Sequence, residues 1–238
     1  MKLNYYDFQE LLKNNNHLKA CEPLESLWDA LTSYMPISFE LAKKAAGIIE
    51  QGEKDFFINI NNKINEQRIE GSAILVYQPT LEDMPKNICN FDGLKISAEL
   101  FFTKSIYDFI HWARLCVELM CQLINAIIPI DNRLDTKNVD VAQIKNTLKS
   151  FAEYHDLLYL LKSATGRSIY KYICDFDNCI KHRKLVDCKT RSIQFSCGSE
   201  LSPKFVISKC PDKGIAHGEL DALKKIDEVS EFIQKNYV

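Results

Sequence analysis

The stretch RSIYKYICDFDNCIKHRK, residues 167–184, decides the fold. At about 100° per residue, Ile169, Ile173, Phe176 and Ile180 fall on one side of a helix. Lys171, Asp175, Asn178 and His182 fall on the other, and the polar side runs into Lys181-His182-Arg183-Lys184. Such an amphipathic segment buries its apolar stripe against neighbouring helices, so the stretch predicts one member of a helical bundle.

The flanking segments carry the same period. A long helix is predicted from Leu94 to about Ile128, where Pro129 stops it. Asp140 caps a second helix through about Ser163, and Thr165-Gly166 turns the chain into 167–184. Upstream, short helices are expected near 3–14 and 23–34. A longer one follows from Ser38 to about Ile64, its start marked by Pro36 and a serine cap, with Gly47 and Gly52 weakening its continuity. The segment 71–92 changes character, because Pro79, Pro85 and Gly93 break any helix. It separates an N-terminal helical region, 1–92, from a C-terminal core, 93–238. No low-complexity linker lies between them, so the two are expected to pack as one unit. Residues 191–197 and 204–209 read as a small β-hairpin, and Leu220, Leu223, Ile226, Val229 and Ile233 mark a final amphipathic helix over 219–237. The fold class is mainly α: a helical bundle with an N-terminal helical extension and a small β-hairpin.

With 238 residues, 46% of them hydrophobic, the chain can bury a sizeable core. Its net charge of -2 provides no global field toward nucleic acid or an acidic partner, so any such role must rest on a local patch. The cysteines number 9, an odd count with no CxxC, and no apolar signal segment follows Met1. Reduced thiols and a cytoplasmic location are expected. Cys116 and Cys121, like Cys174 and Cys179, are five apart and point about 140° from each other on a helix, which argues against a zinc pair. The apolar stretch 105–128 contains Asp108, His111, Arg114 and Glu118, too costly for a membrane span. No Walker motif, phosphate-cradling glycine loop or nucleophile elbow is present.

Two constellations are left. On 167–184, Asp175, Asn178 and His182 stand on adjacent turns, with Asn178 in reach of both companions. The ridge merges into Lys181, Arg183, Lys184, Lys189 and Arg191, opposed by Asp187, a run able to hold a phosphate backbone or simply to be a solvated turn. On the 94–128 helix, Lys104, Asp108, His111, Glu118, Gln122 and Asn125 line one polar stripe. Asp108 and His111 have the i, i+3 spacing of bundle metal sites, and Glu153, His155 and Asp156 are the nearest further ligands. Glu153 and His155 point to different faces, so the stripe reads as a wet surface or a subunit contact and no metal or cofactor is assigned. Tyr154, Tyr159, Tyr170 and Tyr172 surround these helices as core or interface aromatics.

The string Asp177-Asn178-Cys179-Ile180-Lys181-His182, late in a small bundle, resembles the signature of the HEPN superfamily: an arginine, a polar residue, three variable residues and a histidine. The resemblance covers roughly residues 94–183. It implies a homodimer of helical bundles and, in nucleolytic members, a metal-independent RNase whose arginine and histidine face a shared cleft. There the histidine moves a 2′-hydroxyl proton and the guanidinium stabilises phosphorane charge. Carried over by position, Asn178 and His182 match, while Asp177 occupies the arginine slot. A carboxylate beside a scissile phosphate repels it. Arg183 points about 100° away from His182, and Arg167 lies too far upstream to substitute. The resemblance therefore implies a HEPN-like protein that binds RNA or a nucleotide, or regulates a partner, with a degraded nuclease site. Lys181, Arg183 and Lys184 would supply the phosphate contacts. An active endoribonuclease with another cation in place of the arginine, and a non-catalytic interaction bundle, are the alternatives.

Overall fold

The computed structural model describes residues 5–66, 80, 82–182, 186, 188–191, 204–207 and 220–237. The first helix, α1 (Tyr5–Asn14), ends on Asn16 in the left-handed region (φ 58°). The amides of Asn16 and His17 return to the carbonyls of Lys13 and Leu12, closing a Schellman-type stop. Next, α2 (Cys21–Asp29) and α3 (Met35–Glu66) are joined by one turn of π-helix, Ala30–Tyr34, in which the Met35 amide reaches the Ala30 carbonyl. The expected break before Ser38 is therefore absent. Pro36 has no N–H, and its ring crowds the carbonyl four residues back; widening the turn ahead of it accommodates both without ending the helix. Ser38 is not a cap, since its hydroxyl donates back to the Tyr34 carbonyl at 2.9 Å.

A hairpin follows. Strands β1 (Ile88–Phe91) and β2 (Leu94–Ser97) pair antiparallel around Asp92-Gly93, both at positive φ. Two such residues are what a two-residue hairpin turn with the twist of its strands requires. The long helix thus begins at Ala98, not Leu94: α4 (Ala98–Ile127) is capped by Ser97, whose hydroxyl accepts from the Leu100 amide. The second expected helix is split into α5 (Val141–Leu148) and α6 (His155–Thr165). Asp140 does cap α5, through the Gln143 amide at 2.8 Å. The split has a packing cause. Ile144 and Leu148 of α5, and Leu158 and Leu161 of α6, all bury against the patch Cys121, Ile124 and Ile128, which one straight helix could not bring together. After Gly166 comes α7 (Ser168–His182).

A three-stranded sheet comprises β3 (Cys188–Arg191), β4 (Lys204–Ile207) and β5 (Leu220–Asp221), in the order β3-β4-β5. The predicted hairpin is present in shifted form: Arg191 ends its first arm instead of beginning it. Phe205 and Ile207 face the core, and the register brings Cys188 opposite Ile207. Ile193 and Phe195, on which the expectation rested, lie outside the described residues. The last helix, α8 (Ala222–Tyr237), buries Ile226, Val229 and Ile233.

At the centre stands α4. Phe102, Ile106, Phe109, Ile110, Ala113, Cys116 and Val117 are buried, and α2, α3, α7 and α8 all pack around it. Ala42, Ala45 and Ala46 allow α3 to approach α4 closely, and Ile173 and Phe176 seat α7. One core cluster therefore draws on both sides of the 92/93 boundary. Among the described residues, no helix is long and apolar enough to cross a membrane.

Gly47 and Gly52 have opposite roles in α3. Nothing lies within 4 Å of a Cβ at Gly47, whereas one at Gly52 would stand 1.8 Å from Asn87 Oδ1. Asn87 is buried and committed: its amide donates to Glu99 Oε1 at 2.8 Å, and its carbonyl accepts from the Ala98 amide. Gly47→Ala should raise the urea midpoint, adding about 0.5–1 kcal/mol of helix propensity. Gly52→Ala should lower it, by about 1–3 kcal/mol of overpacking.

Candidate functional site

Asp177 lies four residues after Ile173 and next to Phe176, so helical geometry carries it into the sector that α7 turns toward α4. It is 2% exposed. A buried carboxylate needs partners, and it receives three from two helices. His111 Nδ1 lies 2.9 Å from Oδ1, while Arg114 Nη1 and Lys181 Nζ lie 3.0 and 2.9 Å from Oδ2. His111 and Arg114 are three apart on α4 and so share the side facing α7; Lys181 is one turn on from Asp177 along α7. Arg114 extends the cluster further, donating from Nη1 to Asn178 Oδ1 at 2.5 Å and from Nε to Glu118 Oε1 at 2.8 Å.

The electrostatics follow from burial against partners. Burial pushes the Asp177 carboxyl up, but hydrogen bonds and charge from His111 and Lys181 outweigh it and hold the group below the usual carboxylate range. Burial pulls the Arg114 guanidinium down, and Glu118 and Asp177 more than restore it, so Arg114 stays charged. The partly exposed side chains of this cluster are of both signs: Lys181 is 40% and Glu118 38% exposed, beside the His111 ring at 42%. Nearby thiols are not nucleophiles. Burial raises Cys174 and pushes Cys116 and Cys121 up to about 12.

The sequence-predicted residues divide as follows. Asn178 is exposed and held by Arg114, and Lys181 is held by Asp177. Asp175 is half-buried. His182 closes α7, but its side chain lies outside the described residues, as do Arg183, Lys184 and the side chains of Lys189 and Arg191. Asp177, expected to repel a phosphate, is buried, with Arg114 and Lys181 beside its Oδ2 and His111 beside its Oδ1. The α4 stripe also divides. Lys104 pairs with Asp108 on the surface, and His111 turns to Asp177. Asn125 belongs to no wet stripe: it is buried, and its amide both donates to and accepts from the Leu134 backbone at 2.9 Å, anchoring the loop after α4. Glu153, His155 and Asp156 are exposed, and among the described residues no three metal-capable side chains converge.

Sequence reasoning treated the α4 stripe and the α7 ridge as separate constellations and gave Arg114 no role in a site. The signal that joins them is Asp177, a lone carboxylate inside an apolar helical sector facing a helix with histidine and arginine three apart. No family model, no curated protein and no solved structure matches this chain.

Asp177→Asn should destabilise the fold by about 1–3 kcal/mol. That is less than the loss expected for a fully buried pair, because its partners are partly solvated. The folded carboxyl titrates below its unfolded value, so its contribution is fully present above about pH 4 and is lost as pH falls through the folded value. Urea midpoints of wild type and Asp177→Asn should differ at neutral pH and converge as the pH falls through the folded carboxyl value.

Proposed function

We propose that this chain is a HEPN-like protein that binds RNA or a nucleotide through the α4–α7 surface, its ancestral nuclease site converted into an ion cluster. The observation that carries this reading is the buried Asp177, in the slot where the family pattern has arginine, gathering His111, Arg114 and Lys181 from two helices. A carboxylate in that place fixes the cations in one geometry. Arg114 and Lys181 then offer their remaining donors to an anion with their conformational freedom already spent. Lys181 opens the run Lys181-His182-Arg183-Lys184, whose sequence concentrates positive charge next to the cluster's lysine. What the cluster lacks for catalysis is an uncommitted guanidinium, since Arg114 is engaged by Asp177, Asn178 and Glu118.

A second reading has its own support. Arg114 Nη1 stands 2.5 Å from Asn178, so a guanidinium does adjoin the motif, supplied by α4. In that reading the protein is an active endoribonuclease with Arg114 in the missing arginine's role.

Incubation with single-stranded and structured RNA in EDTA separates the two. The binding reading expects no cleavage; cleavage lost in both His182→Ala and Arg114→Ala would establish the nuclease instead. Titration of labelled single-stranded RNA should show weaker binding for Arg183→Ala/Lys184→Ala, which leaves the Asp177 cluster intact. Its slope of log affinity against log salt should be shallower by about 1.4, corresponding to two phosphate contacts on a single strand. An unchanged affinity and slope would remove the basic run from the site.

A further inference from the structure

We propose that Tyr34 is the stacking platform for an unpaired nucleobase whose phosphates lie toward Arg114 and Lys181, an inference that rests on the binding reading above and names the site's ligand chemistry. The Tyr34 ring lies flat on Trp112 of α4, with centroids 4.4 Å apart and planes 10° from parallel. Although one face is covered in this way, Tyr34 is 48% exposed. A ring pinned on one face and about half exposed as a residue can stack a base without first losing its own rotamer freedom.

Its placement is a product of the π-turn. Tyr34 is the last residue of Ala30–Tyr34, the one wide turn in the run from α2 to α3, and such turns are frequent at functional sites. The platform also adjoins the ion cluster. Trp112 follows His111, whose ring centroid is 6.0 Å from the indole and whose Nδ1 touches Asp177. Around α4, His111 stands between Trp112 on one side and Arg114 on the other. Asp108, one turn before Trp112, is neutralised by Lys104. A strand crossing α4 at His111 therefore meets an aromatic face and then the remaining donors of Arg114 and Lys181, whose charges are shared with Glu118 and Asp177. A mononucleotide can occupy only part of that path, which favours single-stranded RNA over a free nucleotide as the source of the base.

The test uses the full chain with Trp28→Phe, so that emission reports Trp112 alone of the two tryptophans. It is titrated with single-stranded oligoadenylate, an RNA duplex and adenosine monophosphate. Single strand should quench Trp112 and bind tightest. Tighter monophosphate binding with the same quench would keep the platform and reassign the source to a free nucleotide. Tyr34→Leu still covers Trp112 but cannot stack a base; it should weaken single-strand binding at least about fivefold, the lower end of base–aromatic stacking. Tyr34→Phe should retain binding. Wild-type affinity in Tyr34→Leu, or single-strand binding without quenching, overturns the platform. If Tyr34→Leu unfolds early, the quench in the parent protein decides. Should that parent bind neither RNA nor monophosphate, the binding reading falls together with the platform. If RNA binds and Arg183→Ala/Lys184→Ala weakens it while Tyr34→Leu does not, the platform falls alone.

Discussion

A carboxylate with 2% exposure on the inner side of α7 is the constraint on which the meeting of α4 and α7, and with it the candidate site, depends. Leaving it unpaired would cost several kcal/mol, and apolar packing alone does not satisfy it. The answer is built from both helices: histidine and arginine from α4, lysine from the next turn of α7. Apolar contacts such as Phe176 against the α4 core hold the helices together. The ion pairs on Asp177 add a polar contact to that packing, one residue before Asn178 meets Arg114. Structure and candidate chemistry thus share the same atoms.

Much of this architecture is legible in the amino-acid order. The long central helix, the amphipathic α7 and α8, the Asp140 cap and the turn at Gly166 all follow from periodicity and capping, because these are local properties. Three features are not local in that sense. The run-on from α2 to α3 depends on a wide turn that accommodates Pro36, where proline ordinarily signals a boundary. The division of α5 from α6 depends on competition for one apolar patch at the end of α4, visible only once the three are assembled. Asn125 reads as a surface amide until the loop it anchors is in place.

Two signals were present and outweighed. Asp92-Gly93 between Ile-Cys-Asn-Phe and Leu-Lys-Ile-Ser has the form of a two-residue hairpin, but Gly93 read as a helix breaker and Leu94 as a helix start. Asp177 falls beside the apolar sector of its own helix, next to Phe176 and four residues after Ile173, a position that signals burial. Of the candidate site, then, the sequence contains the members of α7 plainly. It contains the members of α4 only by implication, since which helix faces a buried carboxylate is a tertiary fact.

The contact between Gly52 and Asn87 has a consequence for how this chain can vary. The hairpin ahead of α4 rests on α3 through an absence, the methyl group that residue 52 does not have. Positions 52 and 87 are complementary halves of one fit, so bulk gained on the helix must be given up by the loop. Thirty-four residues of chain lie between them, α3's second half and the segment after it. Their substitutions will nonetheless be coupled, each tolerable or damaging according to what the other has become.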